Sequence, residues 1–108
     1  MIVAVAVTEG GEVDPRWGRA ERVALADVTG GTVASWAVHD VGWAAGHDAA
    51  TEARHHAAVA RFLRQQHVEV VVAHHVGTGM RRMLDTMGVD VHLGAAGDAR
   101  SAVLAAVA

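Results

Sequence analysis

The order of strand and helix signals along this 108-residue chain predicts an α/β fold built on one mixed sheet. Three observations carry that prediction. Two β-rich runs, Arg22 to Thr29 and Thr32 to His39, flank Gly30-Gly31 and read as a hairpin. Downstream, helical periodicity alternates with Val-rich runs, which calls for parallel strands joined by right-handed crossovers. A short apolar run, Ile2 to Val7, opens the chain as a further buried strand.

Each element has its own signal. Ile2 to Val7 ends in Thr8-Glu9-Gly10-Gly11 and passes into a loop through Asp14-Pro15-Arg16-Trp17-Gly18-Arg19-Ala20. After the hairpin, a Gly-containing connector from Asp40 to Gly46 leads to a helix over about Asp48 to Gln66. Val68 to Ala73 is continuous and Val-rich, as expected of a strand buried on both faces. It ends in His74-His75-Val76-Gly77-Thr78-Gly79 and enters a second helix, Met80 to Met87. A short strand, Val89 to Leu93, ends in Gly94-Ala95-Ala96-Gly97, after which Asp98 caps a final helix.

Composition narrows the function. At 108 residues, 52% hydrophobic and 19% charged, the chain supports one small core. It has no cysteine, so disulfides, thiolate zinc sites, cysteine-held iron–sulfur clusters and a cysteine nucleophile are excluded. Eight histidines remain, at 39, 47, 55, 56, 67, 74, 75 and 92. A net charge of −3 argues against nucleic acid as a partner. The apolar N-terminus has no basic leader and is too short to span a bilayer, so the expected location is the cytoplasm, with no membrane partner.

Ligands of open α/β sheets bind at the carboxyl ends of parallel strands. Three such ends are glycine-rich here: the loop after the first strand, the His74–Gly79 segment and the Gly94–Gly97 segment. Gly77 and Gly79 let backbone approach a ligand ahead of a helix, whose free N–H groups favour anions. The same residues also suit a plain tight turn. The dinucleotide fingerprint fails at Arg82, where a third glycine is needed, and the P-loop lysine is absent.

On the first long helix, Val59 and Leu63 define the buried face. Glu52 projects onto the centre of that face, with His55 and His56 on its shoulders, so the stripe turns polar toward its N-terminal end. Glu52 reaches His55 at i+3 or His56 at i+4, a carboxylate–imidazole pair of the kind that orients histidine ligands. Adjacent helical residues point about 100° apart, so the two rings do not naturally share one ion from one face. His47, His74 and His75 are candidates to reach the same edge, as ligands or as solvent-facing loop residues. Arg16 and Arg19 are candidate anion contacts, with surface ion pairing as the plainer role. Met80, Met83, Leu84 and Met87 follow i, i+3, i+4, i+7, the stripe of a core-facing helix, with Met80 nearest the glycine loop. Trp36 reads as strand packing, while Trp17 and Trp43 lie in loops where they could wall a pocket.

Several separated motifs together resemble the nitrogenase iron–molybdenum cofactor accessory family, which includes NifX, NafY and the C-terminal domain of NifB. Trp17-Gly18-Arg19-Ala20 resembles the family's Phe-Gly-Arg-Ala, with Trp for Phe. Arg54 to Leu63 resembles the His-bearing first helix of small members, Val70 to Met80 with Leu84 the strand–glycine–helix unit, and Gly88-Val89-Asp90-Val91 with Gly97 the closing unit. The likeness covers nearly the whole chain and implies a single accessory-factor-like domain over residues 1–108. It implies a ribonuclease H-like three-layer sandwich, with a five-stranded mixed sheet in order 3-2-1-4-5, strand 2 antiparallel and about three helices. It also implies binding or carriage of an iron–sulfur or iron–molybdenum-type cluster or precursor, without catalysis, and exchange with a cofactor donor or acceptor protein.

The resulting expectation is a non-catalytic module that holds an anionic metal–sulfur species. The cofactor-binding set is Arg16, Arg19, His47, Glu52, His55, His56, Gly77 and Gly79, and the metal-ligand candidates are His47, His55, His56, His74 and His75. The alternative is a structural or regulatory interaction domain of the same fold, as a homodimer, with incidental histidines. A two-metal nuclease is disfavoured because the first strand has no carboxylate and the second only Asp27.

Overall fold

The computed structural model describes residues 1–43 and 52–107. Its strands are β1 (Ile2–Val7), β2 (Arg22–Thr29), β3 (Thr32–Asp40), β4 (Val70–Val72) and β5 (Asp90–His92). Its helices are α1 (Glu52–Gln65), α2 (Thr78–Thr86) and α3 (Ala99–Val107), with a 3-10 turn at Trp17–Arg19. The strands form one sheet in the order β3-β2-β1-β4-β5. β2 is antiparallel to both neighbours, whereas β4 is parallel to β1 and to β5. This is the mixed sheet that the sequence predicts. The hairpin closes through Gly30 (φ 59°) and Gly31 (φ 77°), the paired left-handed conformation that a two-residue turn requires.

The two faces of β1 explain its Val-Ala alternation. Val3, Val5 and Val7 pack with Ala99 and Val103 of α3 on one side of the sheet. Ala4 and Ala6 face the other side, where Trp17, Val59, Leu63, Met80 and Leu84 supply the bulk. Small helix residues thus meet large strand residues on one face, and the reverse holds on the other, as close packing demands. Among α2 residues, Met80 and Leu84 are buried, while Met83 and Met87 pack partly buried against the same core. The methionine stripe is a packing stripe, as its spacing predicts.

The structure adjusts several boundaries. α2 starts at Thr78 rather than Met80, because Gly77 is already an extended N-cap (ψ 162°). Only Val70–Val72 of the run from Val68 to Ala73 pairs as strand, and only Asp90–His92 of the last run. The four predicted helical residues 48–51 lie outside the described residues. Asp98 caps α3 as expected: its Oδ2 accepts the Ser101 amide (3.0 Å) and hydroxyl (2.8 Å).

Those two hydrogen bonds hold the Asp98 carboxyl below its ordinary pKa. A lowered folded value means the capping contribution is fully present above the ordinary carboxylate range and is lost as the pH falls through the folded value. Acid unfolding of wild type and Asp98→Ala should therefore show a stability gap at neutral pH that closes in acid. A gap unchanged by pH would contradict this origin.

α1 ends in a Schellman motif, with the His67 amide on Arg64 O (3.1 Å) and the Val68 amide on Leu63 O (3.0 Å). That geometry forces His67 to φ 56°, the left-handed region where a β-carbon is strained. His67→Gly is accordingly expected to stabilise the protein by about 0.5–1 kcal/mol, read as a shift in denaturant midpoint at constant slope.

Candidate functional site

The chain leaves β1 into a loop whose shape is set by Asp14, which is only 6% exposed. The Asp14 amide donates to Ala6 O (2.9 Å), and its Oδ1 accepts from the Arg16 amide (3.0 Å) and lies 3.5 Å from Arg16 Nε. This turn fixes Arg16 at the loop's outer surface and drives Trp17 inward. Trp17 stacks edge-on with Trp43 (centroids 5.4 Å), and Trp43 with Phe62 of α1 (5.7 Å). The loop is thereby clamped against the helix that carries the histidines.

Three segments then enclose a cleft of about 430 Å³. The β1 loop contributes Arg16, Trp17, Gly18 and Arg19; α1 contributes Glu52, His55 and His56; the β4–α2 connection contributes His75, Val76, Gly77, Thr78, Gly79 and Met80. Each α1 histidine lies against a glycine. His55 Nε2 is 3.4 Å from where a Gly18 β-carbon would sit, and His56 Cε1 is 3.2 Å from the corresponding point on Gly79. The two rings are tilted 48° with centroids 6.1 Å apart. Any other residue at Gly79 would press into the His56 ring.

The cleft offers groups that can meet an anion. Arg19 stands on one wall beside Arg16, whose Nε already lies 3.5 Å from Asp14 Oδ1, and the N-terminus of α2 stands on another with no acidic residue in its first turn and no side-chain cap at Gly77. Glu52 is the one carboxylate among the described residues that line the cleft. Its Oε1 is 3.9 Å from His56 Nε2, too long for a hydrogen bond.

Sequence reasoning placed most of these residues together, with differences. Glu52 is not on the buried face: its side chain is 64% exposed. The first turn of α1 borders the open cleft, so the stripe that faces the core at Val59 faces solvent there. His75 lines the cleft, but the adjacent His74 does not; its Nδ1 lies 3.2 Å from Ala95 O. His47 lies outside the described residues. Among the described residues, no three of His, Cys, Asp or Glu come together closely enough to hold a metal ion. The Gly94–Gly97 segment does not join the cleft either. It borders a separate groove with α3, and Gly97 O accepts the Val13 amide (2.8 Å), because α3 lies on the opposite face of the sheet. Trp17 walls the cleft as predicted, while Trp43 stands behind it. Sequence reasoning missed Asp14, Val76 and Thr78. Asp14-Pro15-Arg16 was the available signal, since an aspartate two residues before a backbone donor builds an Asx turn.

Gly79→Ala separates folding from the site. Gly79 sits in the first turn of α2, where alanine favours helix by up to about 1 kcal/mol. The half-buried, loosely paired His56 ring can yield the few tenths of an ångström required. The variant should be at least as stable as wild type on denaturation, yet show a shifted His56 Cε1–H resonance. An unshifted resonance would contradict the contact.

A small α/β module with a cleft lined by arginine, histidine and glycine at the carboxyl edge of its sheet is the class these features define. The chain belongs to the dinitrogenase iron-molybdenum cofactor family, whose model matches residues 1–108. No curated protein matches the chain. Solved structures that share its fold include PH0822 (19% identity, TM-score 0.77, covering 99% of this chain and 89% of that one). The apo form of the orange protein from Desulfovibrio gigas is similar at 24% identity and TM-score 0.77, over 98% of this chain and 86% of that one. A putative NifB protein from Thermotoga, assigned to the DUF35 family, is similar at 24% identity and TM-score 0.71, with the same coverages of 98% and 86%. No helix among the described residues is long and apolar enough to cross a membrane.

Proposed function

We propose that this protein is a non-catalytic carrier of an anionic metal–sulfur species, an iron–sulfur or iron–molybdenum-type cluster or its precursor. The observation that carries the reading is the seating of His55 and His56 against Gly18 and Gly79 in one cleft with Arg16 and Arg19. Sulfide-rich anions present negative charge and hydrogen-bond acceptors, which guanidinium groups, imidazoles and the α2 amides at Gly77 and Gly79 match. Cysteine is absent and no three-ligand metal group exists among the described residues, so the cargo is held largely by charge and hydrogen bonds. Such a hold suits reversible exchange with a donor or acceptor protein. His75 stands at the rim as an auxiliary ligand, and the roles of His47 and His74 rest on their place in the sequence alone.

The test is anaerobic. Protein is incubated with iron–sulfide, molybdenum–sulfide or copper–sulfide species, desalted, and read for metal and for charge-transfer absorbance. Wild type should retain one of these species, and the His55→Ala/His56→Ala double variant should lose most of it. Equal retention by both would remove the histidines from the site. Failure of wild type to retain any species would favour the interaction-domain alternative.

A further inference from the structure

The outer edge of β3 is built to pair. With nine residues it is the longest strand, yet no strand among the described residues pairs with its far side. The other edge strand, β5, has only three residues. Edge strands are normally blunted by lysine, proline or inward charge. Thr32 to His39 contains none of these, and Asp40 at its end is tied to Arg22 of β2 (3.3 Å). One protective device exists: the register slips so that Asp27 faces Ser35 while Val28 faces Val33, leaving Ala34 as an extra, bulged residue. The free edge is therefore regular from Ser35 to Asp40.

Hydrogen-bond polarity fixes which groups are available. The Val41 amide donates to Glu21 O (2.8 Å), and Arg22 pairs with Asp40 next in the ladder. The alternation of an antiparallel ladder then turns the N–H and C=O of Trp36, Val38 and Asp40 away from β2. Trp36 and Val38 also share a face, opposite Ala26 and Ala24 of β2 on the α3 side. Val38 is 51% exposed, one of three large apolar residues left so open among the described residues.

From this we propose that the protein forms a two-fold homodimer by antiparallel pairing of β3 with β3 of a second copy, centred on Ala37. In that register Trp36 and Val38 of one copy exchange both backbone hydrogen bonds with Val38 and Trp36 of the other. Each exposed Val38 then packs beside a Trp36 ring, over which Arg100 of that copy's own α3 already lies (5.0 Å), an aromatic–aliphatic cross-strand pair made twice by symmetry. Asp40 falls opposite the bulge at Ala34, so like charges do not meet. None of these residues lines the cleft, and each copy keeps its own open at an opposite end of the joined sheet. The proposal is independent of what the cleft holds.

Sedimentation velocity on the full chain over a dilution series, with amide exchange read residue by residue, tests it. Wild type should sediment as a dimer at the higher concentrations, with the Trp36 and Val38 amides protected. Val38→Lys should shift the protein to monomer and expose those two amides, leaving Ala37 and His39 protected by β2. Val38→Pro should do the same, because the N–H it removes points away from β2. A wild type that stays monomeric throughout would overturn the proposal. So would a dimer that survives both substitutions or leaves Trp36 and Val38 unprotected.

Discussion

Replacing Trp17 by alanine is expected to destabilise the protein by about 3–5 kcal/mol, a large part of the roughly 5–15 kcal/mol available to a domain. Trp17 is 1% exposed, is the largest fully buried side chain, and joins the loop after β1 to Trp43 and the α1–α2 side of the core. Alanine would leave a cavity at the floor of the cleft that the clamped loop cannot fill by small shifts. Urea unfolding should show the lower midpoint, and the near-ultraviolet signal of the Trp17–Trp43 pair should vanish. Trp17→Phe is the informative companion. The Trp17 Nε1–H is buried with no hydrogen-bond partner among the described residues. Phenylalanine removes that unsatisfied donor, worth about 1–3 kcal/mol, while giving up part of the ring's burial. The two effects oppose, so Trp17→Phe should lie within about 1 kcal/mol of wild type. A loss as large as that of Trp17→Ala would mean the indole's size alone governs the position.

Leu84→Ala should cost about 2–5 kcal/mol. Leu84 is fully buried on α2, in the core shared with Val59 and Leu63 of α1 and Val71 of β4. Its neighbours on the stripe, Met83 and Met87, are only partly buried, and truncating either should cost distinctly less. Thermal and denaturant unfolding of the three alanine variants would order them. Equal losses at all three positions would show that the stripe is buried more evenly than its exposure indicates. Because α2 also presents Gly77 and Gly79 to the cleft, Leu84→Ala is expected to loosen the site along with the fold.

The fold was largely legible in the sequence, for local reasons. Gly30-Gly31 between two β-rich runs leaves a two-residue hairpin as the natural solution, and both glycines adopt the left-handed conformation that it needs. The Val-rich run at Val70–Val72 is buried on both faces because helices cover both sides of the sheet. Part of the site was legible too. His55 and His56 project from the end of α1 where its apolar stripe gives out, and both reach the cleft.

The errors have one physical source. Helical projection assigns Glu52 to the buried face because it assumes that a core lies under every turn. The core ends before the first turn of α1, so the same face opens to solvent. Likewise, three glycine-rich strand ends look equivalent along the chain. Packing divides them: α2 crosses from β4 to β5 over one face of the sheet, whereas α3, which follows the last strand, packs on the other. The Gly94–Gly97 segment therefore braces the β1 loop from behind instead of joining the cleft. His74 and His75 separate for a comparable local reason, since only one of two consecutive residues meets the cleft.

By itself, the sequence determined the α/β class, the hairpin, the packing stripe of α2, the absence of thiolate chemistry and a set of histidines and arginines suited to an anion. Tertiary structure alone decided which of them meet. Periodicity encodes the direction of a side chain relative to its own helix or strand. The distance from His55 to Gly18, or from His56 to Gly79, depends on how α1, α2 and the β1 loop pack over one face of the sheet. That packing is fixed by which residues Trp17, Leu63 and Leu84 meet in the core, and no local pattern specifies those partners.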